Sequence, residues 1–341
     1  MKKKTLFLFV FVLAIGMILS ACGESGKGGG DSSSDSGDGG SDGGETMTNL
    51  TMGTGSVGGV YYPLGGEMAN LWTDNIDVDG FDVSSVESGA SVENIAKIQS
   101  GDFQLGIAQN TTMINATEGT GEFEGKEMDN VGVIGSLYPE ALQVVTLDST
   151  GIESIEDLKG KRVAIGPPGG ATREAAELVL SAYGIEEGDY EAYEEGFGDA
   201  KSKLQNGTID ASFAVVGVPS STTDELAAAT GEVNFLDIEG EALKEVTENS
   251  QYEAYTVEPG TYEWQDEPVQ TVTAMALLVA SKDQVSEDLA YKITKTLYEK
   301  AGDMTIAQAK LITEDSALTG AKDLPLHPGA EKYFKEAGII E

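Results

Sequence analysis

The sequence predicts an α/β fold of two lobes with a ligand cleft between them, and three observations lead there. Short apolar strands alternate with amphipathic helices, the order expected of a sheet with parallel pairing. Two Gly-rich turns, in "GTGSVGGVYY" and "GPPGGATREAA", each run into a helix, one in each half of the chain. After a second α/β set the C-terminal stretch returns to long elements, as expected of a chain that rejoins its first lobe. Ligands favour domain interfaces and the carboxyl ends of parallel strands, so the cleft is where binding is expected.

The N-terminus stands apart from this fold. "MKKKTLFLFVFVLAIGMILSAC" has three lysines, Lys2 to Lys4, then an apolar run from Leu6 to Leu19. That run is short for a spanning helix, which needs about 20 apolar residues, and reads as an export signal over residues 1–21. It ends in "LSAC", which resembles the bacterial lipobox. Cys22, the only cysteine, is thus the expected lipidation site, anchoring the protein to the outer face of the cell membrane. A lone cysteine excludes internal disulfides and thiolate metal clusters. Residues 22–45 are Gly, Ser and Asp with almost nothing apolar, a composition that reads as a disordered tether.

The folded part follows. "LTMGTG" reads as a strand, and Val60, Leu64, Met68, Leu71 and Trp72 then recur at helical spacing. "VSSVES" is a strand, "SVENIAKIQSG" a helix stopped by Gly101, "LGIAQN" a strand, and "VGVIGSLYPEALQVVTL" one or two strands. The second set comprises "SIEDLKG" (short helix), "KRVAIG" (strand) and "TREAAELVLSAYG" (helix, with Thr172 as N-cap). It continues with "YEAYEEG" (strand), "GDAKSKLQNG" (helix), "IDASFAVVG" (strand), "STTDELAAAT" (helix) and "VNFLDI" (strand). The return consists of the apolar strand "TVTAMALLVAS", a long helix in "SEDLAYKITKTLYEKAGDM" and a last helix in "GAEKYFKEAGI". The expected organisation is lobe I over 46–142, lobe II over 143–272 and the return over 273–341.

The formal net charge is −37. Removing the three signal lysines leaves 18 basic residues against 58 acidic ones, near −40. Phosphate would be repelled, so nucleic acid is excluded as a partner. The catalytic inventory is thin: one histidine, His327, expected to be structural, with no Ser-His-Asp arrangement and no zinc spacing such as H-E-x-x-H. No metal or cofactor is expected, and the protein is read as a non-enzyme and a monomer.

Gly53, Gly55 and Gly58 spell G-x-G-x-x-G. Three readings are open there: a small-carboxylate site, a structural turn, or a dinucleotide site, for which Asp74 or Asp77 would be the ribose acid. Export disfavours a nicotinamide cofactor. Pro63 fits only a first helical turn and sets the helix start near Gly59 or Val60. The turn then bares backbone N–H groups along the helix dipole, which suits a carboxylate. Thr54, Gly55, Ser56, Gly58 and Gly59 are the candidate contacts, with Tyr61 or Tyr62 closing over the ligand. In the second turn Gly170, Thr172 and Arg173 are candidates. Arg173 is one of two arginines, with Arg162, and suits a carboxylate fork. Ser88 at a further helix start, Gln109 at a strand end, Tyr138 and Ser220 complete the set.

The stretches "GTGSVGGVYYPLGGEMANLW", "ESGASVENIAKIQSGDFQLGIAQN" and "SIEDLKGKRVAIGPPGGATREAA" resemble the TAXI family, the extracytoplasmic solute receptors of certain TRAP transporters. The resemblance runs over nearly all of residues 48–341. It implies the type II periplasmic binding protein fold and capture of a small anionic or zwitterionic solute of the glutamate, glutamine or 2-oxoglutarate class. It also implies delivery to an ion-coupled TRAP permease, and favours Gln109 and Ser220 as contacts. A receptor of an ABC importer, a sensor, or an extracellular enzyme on the same fold would share this layout.

Overall fold

The computed structural model describes residues 47–341. The expected signal segment, Cys22 and the tether lie outside the described residues. Lobe I opens with β1 (Asn49–Gly53), α1 (Tyr61–Asn75), β2 (Asp82–Val86), α2 (Ser91–Ser100), β3 (Leu105–Gln109) and α3 (Asn110–Glu118). A long strand, β4 (Val131–Leu147), leads into lobe II. That lobe holds β5 (Arg162–Ala164), α4 (Ala171–Ala182), β6 (Glu191–Tyr193), α5 (Phe197–Gln205), β7 (Ala211–Gly217) and α6 (Ser221–Thr230). It continues through β8 (Val233–Phe235), α7 (Gly240–Asn249) and β9 (Glu253–Val257). A second long strand, β10 (Val269–Ser281), returns to lobe I, where α8 (Glu287–Lys300) and α9 (Pro328–Glu336) end the fold.

Apolar spacing places these helices. Leu64, Met68 and Trp72 of α1 repeat every four residues and are fully buried. Trp72 also donates its indole N–H to the carbonyl of Ile293 at 3.1 Å, tying α1 to α8. Each lobe buries both faces of its part of the sheet. In lobe I, α1, α8 and α9 cover one face and α2 and α3 the other. In lobe II, α4 and α7 cover one face and α5 and α6 the other. His327 is buried at the start of α9, where Nδ1 accepts from Gly329 N–H and Nε2–H donates to the carbonyl of Val285, a structural cap.

The expectation of parallel pairing holds only within each lobe. β1 runs parallel to β2 and β3, and β5 to β6 and β7. The two lobe-crossing strands, β4 and β10, pair antiparallel with each other and with their flanking neighbours. The sheet order is β2-β1-β3-β10-β4-β7-β5-β6, with β8 on β4 and β9 on β10. β4 is one strand of 17 residues despite Pro139. Proline has no N–H to give; the facing Met275 donates its own N–H outside the ladder, to Asn110 Oδ1 at 2.9 Å. Along β4 the buried side chains pass from one core to the other between Tyr138 and Leu142. Along β10 they do so between Ala276 and Ala274.

The sequence reading overlooked α3, α7 and β9. α3 follows β3 with no turn residue between them, and α7 buries only Ala242 and Val246. Among the described residues, no helix is long and apolar enough to cross a membrane.

Candidate functional site

A cavity of about 60 Å³ lies between the lobes, at the carboxyl ends of the parallel strands. Residues of both lobes line it. Four helices aim their first turns at it: α1 and α2 from lobe I, α4 and α5 from lobe II. The residues at their N-caps, Val60, Ala90, Gly170 and Gly196, all line the cavity, and none of the four starts has a side-chain cap. Of the remaining helices, α6, α8 and α9 are capped by Ser220, Ser286 and His327, while α3 and α7 also lack a side-chain cap. First-turn N–H groups have no acceptor within their own helix. Backbone carbonyls take some of them, at Val92, Arg173 and Asp199, and the remainder, aimed at one cavity, contribute a positive field without any basic side chain.

The floor of the cavity is a carboxylate. Glu140 sits on β4 where the chain crosses between lobes, is 3 % exposed, and is the only charged side chain lining the cavity. Its Oε2 accepts from Tyr61 Oη at 2.7 Å and from Gln109 Nε2 at 3.1 Å, and its Oε1 from Tyr138 Oη at 3.3 Å. All three donors are neutral. Burial pushes the Glu140 carboxyl up to about 7, against the lowering pull of those hydrogen bonds. Burial and the neighbouring carboxylate hold the Tyr61 and Tyr138 hydroxyls well above the ordinary phenol range, so both remain donors.

Six of the sequence candidates line the cavity: Gly55, Ser56, Gly59, Tyr61, Gly170 and Thr172. Gln109 and Tyr138 lie one layer behind, reaching it through Glu140. The others are placed elsewhere. Thr54 is buried, with its hydroxyl donated to Val86 O at 2.6 Å. Ser88 accepts from Ala90 N–H and donates to Asn94 Oδ1 at 2.7 Å, shaping the turn before α2. Tyr62 is 39 % exposed, and Ser220 caps α6.

Thr172 is not the N-cap of α4. Gly170 holds that position, and Thr172 Oγ1 instead accepts from Val215 N–H at 3.2 Å, bracing α4 against β7. Arg173, proposed as a carboxylate fork, lies outside the cavity. The helical turn points it away, and it pairs with Glu177 at 2.8 Å and Glu194 at 2.5 Å. Arg162 is likewise committed, to Asp210. Asp74, the acid a dinucleotide turn would require, lies near the far end of α1 in a separate surface groove.

Ser91, at the helix start in "ESGASVEN" that the sequence singles out, also lines the cavity, whereas Glu140, Ala90, Phe197 and Phe213, all cavity-lining, were missed. One signal was available: Glu140 is the only charged residue in the 17-residue run of β4.

The lobes meet over the cavity through bonds to backbone carbonyls. Thr222 Oγ1 donates to Gly58 O at 2.7 Å, and Val92 N–H donates to Gly169 O at 3.1 Å. A Cβ added at Gly58 would fall on the backbone N and Cα of Gly198. The lobes are therefore closed over the site.

Several solved structures are similar to this chain. PhnD1 from Prochlorococcus marinus in complex with methylphosphonate is similar in fold, with a TM-score of 0.51, 12 % identity, and coverage of 86 % of this chain and 99 % of that one. The alkanesulfonate-binding protein SsuA from Xanthomonas axonopodis pv. citri bound to MOPS matches at a TM-score of 0.49 and 15 % identity, over 86 % and 85 % of the two chains. The substrate binding protein of an amino acid ABC transporter matches at 0.47 and 15 %, over 79 % and 98 %. The likeness to PhnD1 is one of fold alone. The model of the NMT1-like family matches residues 52–338, nearly the whole described structure, and the chain belongs to that family.

Proposed function

We propose that this protein is an extracytoplasmic solute receptor that captures a small carboxylate-bearing solute between its lobes and hands it to a membrane importer, with no covalent chemistry. One observation carries the reading: four helix N-termini without side-chain caps, two from each lobe, converge on one cavity whose only charged side chain is Glu140. The N-termini suit the solute's carboxylate. Glu140, held by neutral donors alone, suits an ammonium group. An amino acid of the glutamate or glutamine class satisfies both ends, whereas 2-oxoglutarate satisfies only the first. A ligand that bridges the lobes favours the closed form by its differential contacts with it. Export and the lipid anchor at Cys22 follow from the sequence of the N-terminal segment and belong to the same proposal.

For the membrane partner we put an ATP-driven ABC importer first and an ion-coupled TRAP permease second. The ABC reading is supported by the likeness to the substrate binding protein of an amino acid ABC transporter. The TRAP reading rests on the sequence motifs alone. Uptake of labelled solute that survives collapse of ion gradients but not ATP depletion supports the first order; the reverse result inverts it.

The solute class is tested by calorimetry on the purified protein with L-glutamate, L-glutamine and 2-oxoglutarate at pH 6 and 8.5. Glu140 ionises as the pH rises through about 7. Binding of an amino acid therefore strengthens with pH, because the carboxylate gains the ammonium as a partner. Binding of 2-oxoglutarate weakens, because a second negative charge meets the first. Heat from none of the three removes the proposed ligand class.

A further inference from the structure

Lobe I and lobe II also meet behind the cavity, through side chains rather than backbone. Tyr252 belongs to the core of lobe II, beside Val246 and Val272, and is 4 % exposed. Its hydroxyl donates to Gln109 Oε1 at 2.9 Å. Gln109 is the last residue of β3 in lobe I and is fully buried. The other end of the same amide, Nε2, donates to Glu140 Oε2 at 3.1 Å. The result is a continuous buried path from lobe II, across a lobe I side chain, to the one charged group in the solute cavity.

Chemistry fixes the direction of the path. A glutamine side chain has one acceptor end and one donor end. With Tyr252 donating into the oxygen, the amide must present its NH2 to Glu140, where it supports the carboxylate form. Hydrogen bonds in such a chain polarise one another, so a donor on the oxygen strengthens the donation from the nitrogen. Thr111 adds a weaker donation to the same oxygen at 3.4 Å. The Tyr252 hydroxyl is held above the ordinary phenol range by burial and by the nearby Glu174 carboxylate, so it donates throughout the working pH range. A second bond between the lobes, from Asn115 Nδ2 to Glu174 Oε1 at 2.8 Å, starts on α3 directly after β3. The β3–α3 junction is therefore the place where lobe II is read from behind the cavity.

We infer that Tyr252 is a positioning residue for solute capture: on lobe closure it orients the Gln109 amide so that Glu140 is held as a carboxylate facing the solute. The inference rests on the receptor reading above and adds to it the residue by which closure is felt at the site. Tyr252 touches no solute and lies outside the cavity lining. The groups that face Glu140 from its surroundings are Tyr61, Gln109 and Tyr138, with no cation among them. The support from Gln109 is therefore a substantial part of what keeps the carboxylate charged.

The test uses the full chain and L-glutamate as probe, with affinity followed by calorimetry from pH 5.5 to 8.5. Three variants are compared with the wild type: Tyr252→Phe, Gln109→Met and the double variant. Tyr252→Phe removes only a hydroxyl; it is expected to weaken binding at pH 7 by about tenfold and to move the midpoint of the pH profile upward. Gln109→Met is expected to do the same or more. The double variant is expected to match Gln109→Met alone, because Tyr252 acts only through the amide. A merely structural tyrosine would lower the melting temperature, leave the pH midpoint in place, and add its effect to that of Gln109→Met. That pattern overturns the inference, as does a Tyr252→Phe protein with wild-type affinity. Should Tyr252→Phe fail to fold, a Gln109→Met profile with an unmoved midpoint is sufficient to overturn it. A wild-type protein that binds no L-glutamate, L-glutamine or 2-oxoglutarate brings down the receptor reading itself, and this inference with it.

Discussion

Glu140 is unfavourable for the fold and useful for the site. Its carboxyl rises from an ordinary 4.5 to about 7 on folding, chiefly through burial. A folded value above the unfolded one means that its contribution to stability is fully present below pH 4.5 and is lost as the pH rises through 7. The shift corresponds to on the order of 3 kcal/mol lost above pH 7. Glu140→Gln keeps an acceptor for Tyr61 and Gln109 and removes the charge. At pH 8.5 the ligand-free variant is expected to melt higher than the wild type, while at pH 4.5 the two converge. L-Glutamate affinity is expected to move the other way, falling at pH 8.5. Thermal melts at the two pH values, with parallel calorimetry, check both directions. A variant that is destabilised at pH 8.5 would contradict this account of Glu140.

The four site helices share one device, an N-terminus without a side-chain cap, and α2 shows the strain this involves. Its N-cap residue, Ala90, has φ 70 and ψ −139, a backbone region that suits glycine and costs a Cβ-bearing residue about 1–3 kcal/mol. It is the only non-glycine residue with positive φ among the described residues, and it lines the cavity. This residue sets the start of α2 against the cavity, in a turn where Ser88 Oγ accepts the Ala90 N–H and Glu93 Oε2 the Gly89 N–H. Ala90→Gly is expected to raise stability by about 1 kcal/mol, the relief of strain exceeding the added freedom of the unfolded chain. Denaturant unfolding measures it, and a loss of stability would show that Ala90 is not strained. The helix starts themselves were legible in sequence, because Gly-rich turns announce them. The capping role assigned to Thr172 was not observed: a hydroxyl one residue inside the helix reaches a strand backbone that the sequence cannot place.

At the scale of the whole molecule, two antiparallel strands carry the chain between lobes, and glycine lets the far edges meet. Gly58 and Gly198 touch backbone to backbone across the cleft. Gly58 does not have a positive φ, so Gly58→Ala is tolerated locally and obstructs only closure. Its Cβ meets backbone atoms, which cannot swing aside. The variant is expected to retain the melting temperature of the ligand-free protein within about 2 °C and to bind solute at least tenfold more weakly. Thermal melts without solute and calorimetry with L-glutamate separate the two effects. Wild-type affinity would mean that the lobes do not need this contact to hold the solute.

Local rules are written in the chain. Period and punctuation revealed most strands and helices, the Gly-rich starts of α1 and α4 and the strand end at Gln109. These depend on neighbours within a few residues, which any window of sequence contains. What only the tertiary structure decided depends on partners far apart in the chain. Glu140 became the floor of the cavity because Tyr61, Gln109 and Tyr138 converge on it from three elements. Arg173 left the site because Glu177 and Glu194 claim it on the outer surface of lobe II. Both outcomes follow from long-range packing, which sets the surroundings of each charge and so its energy.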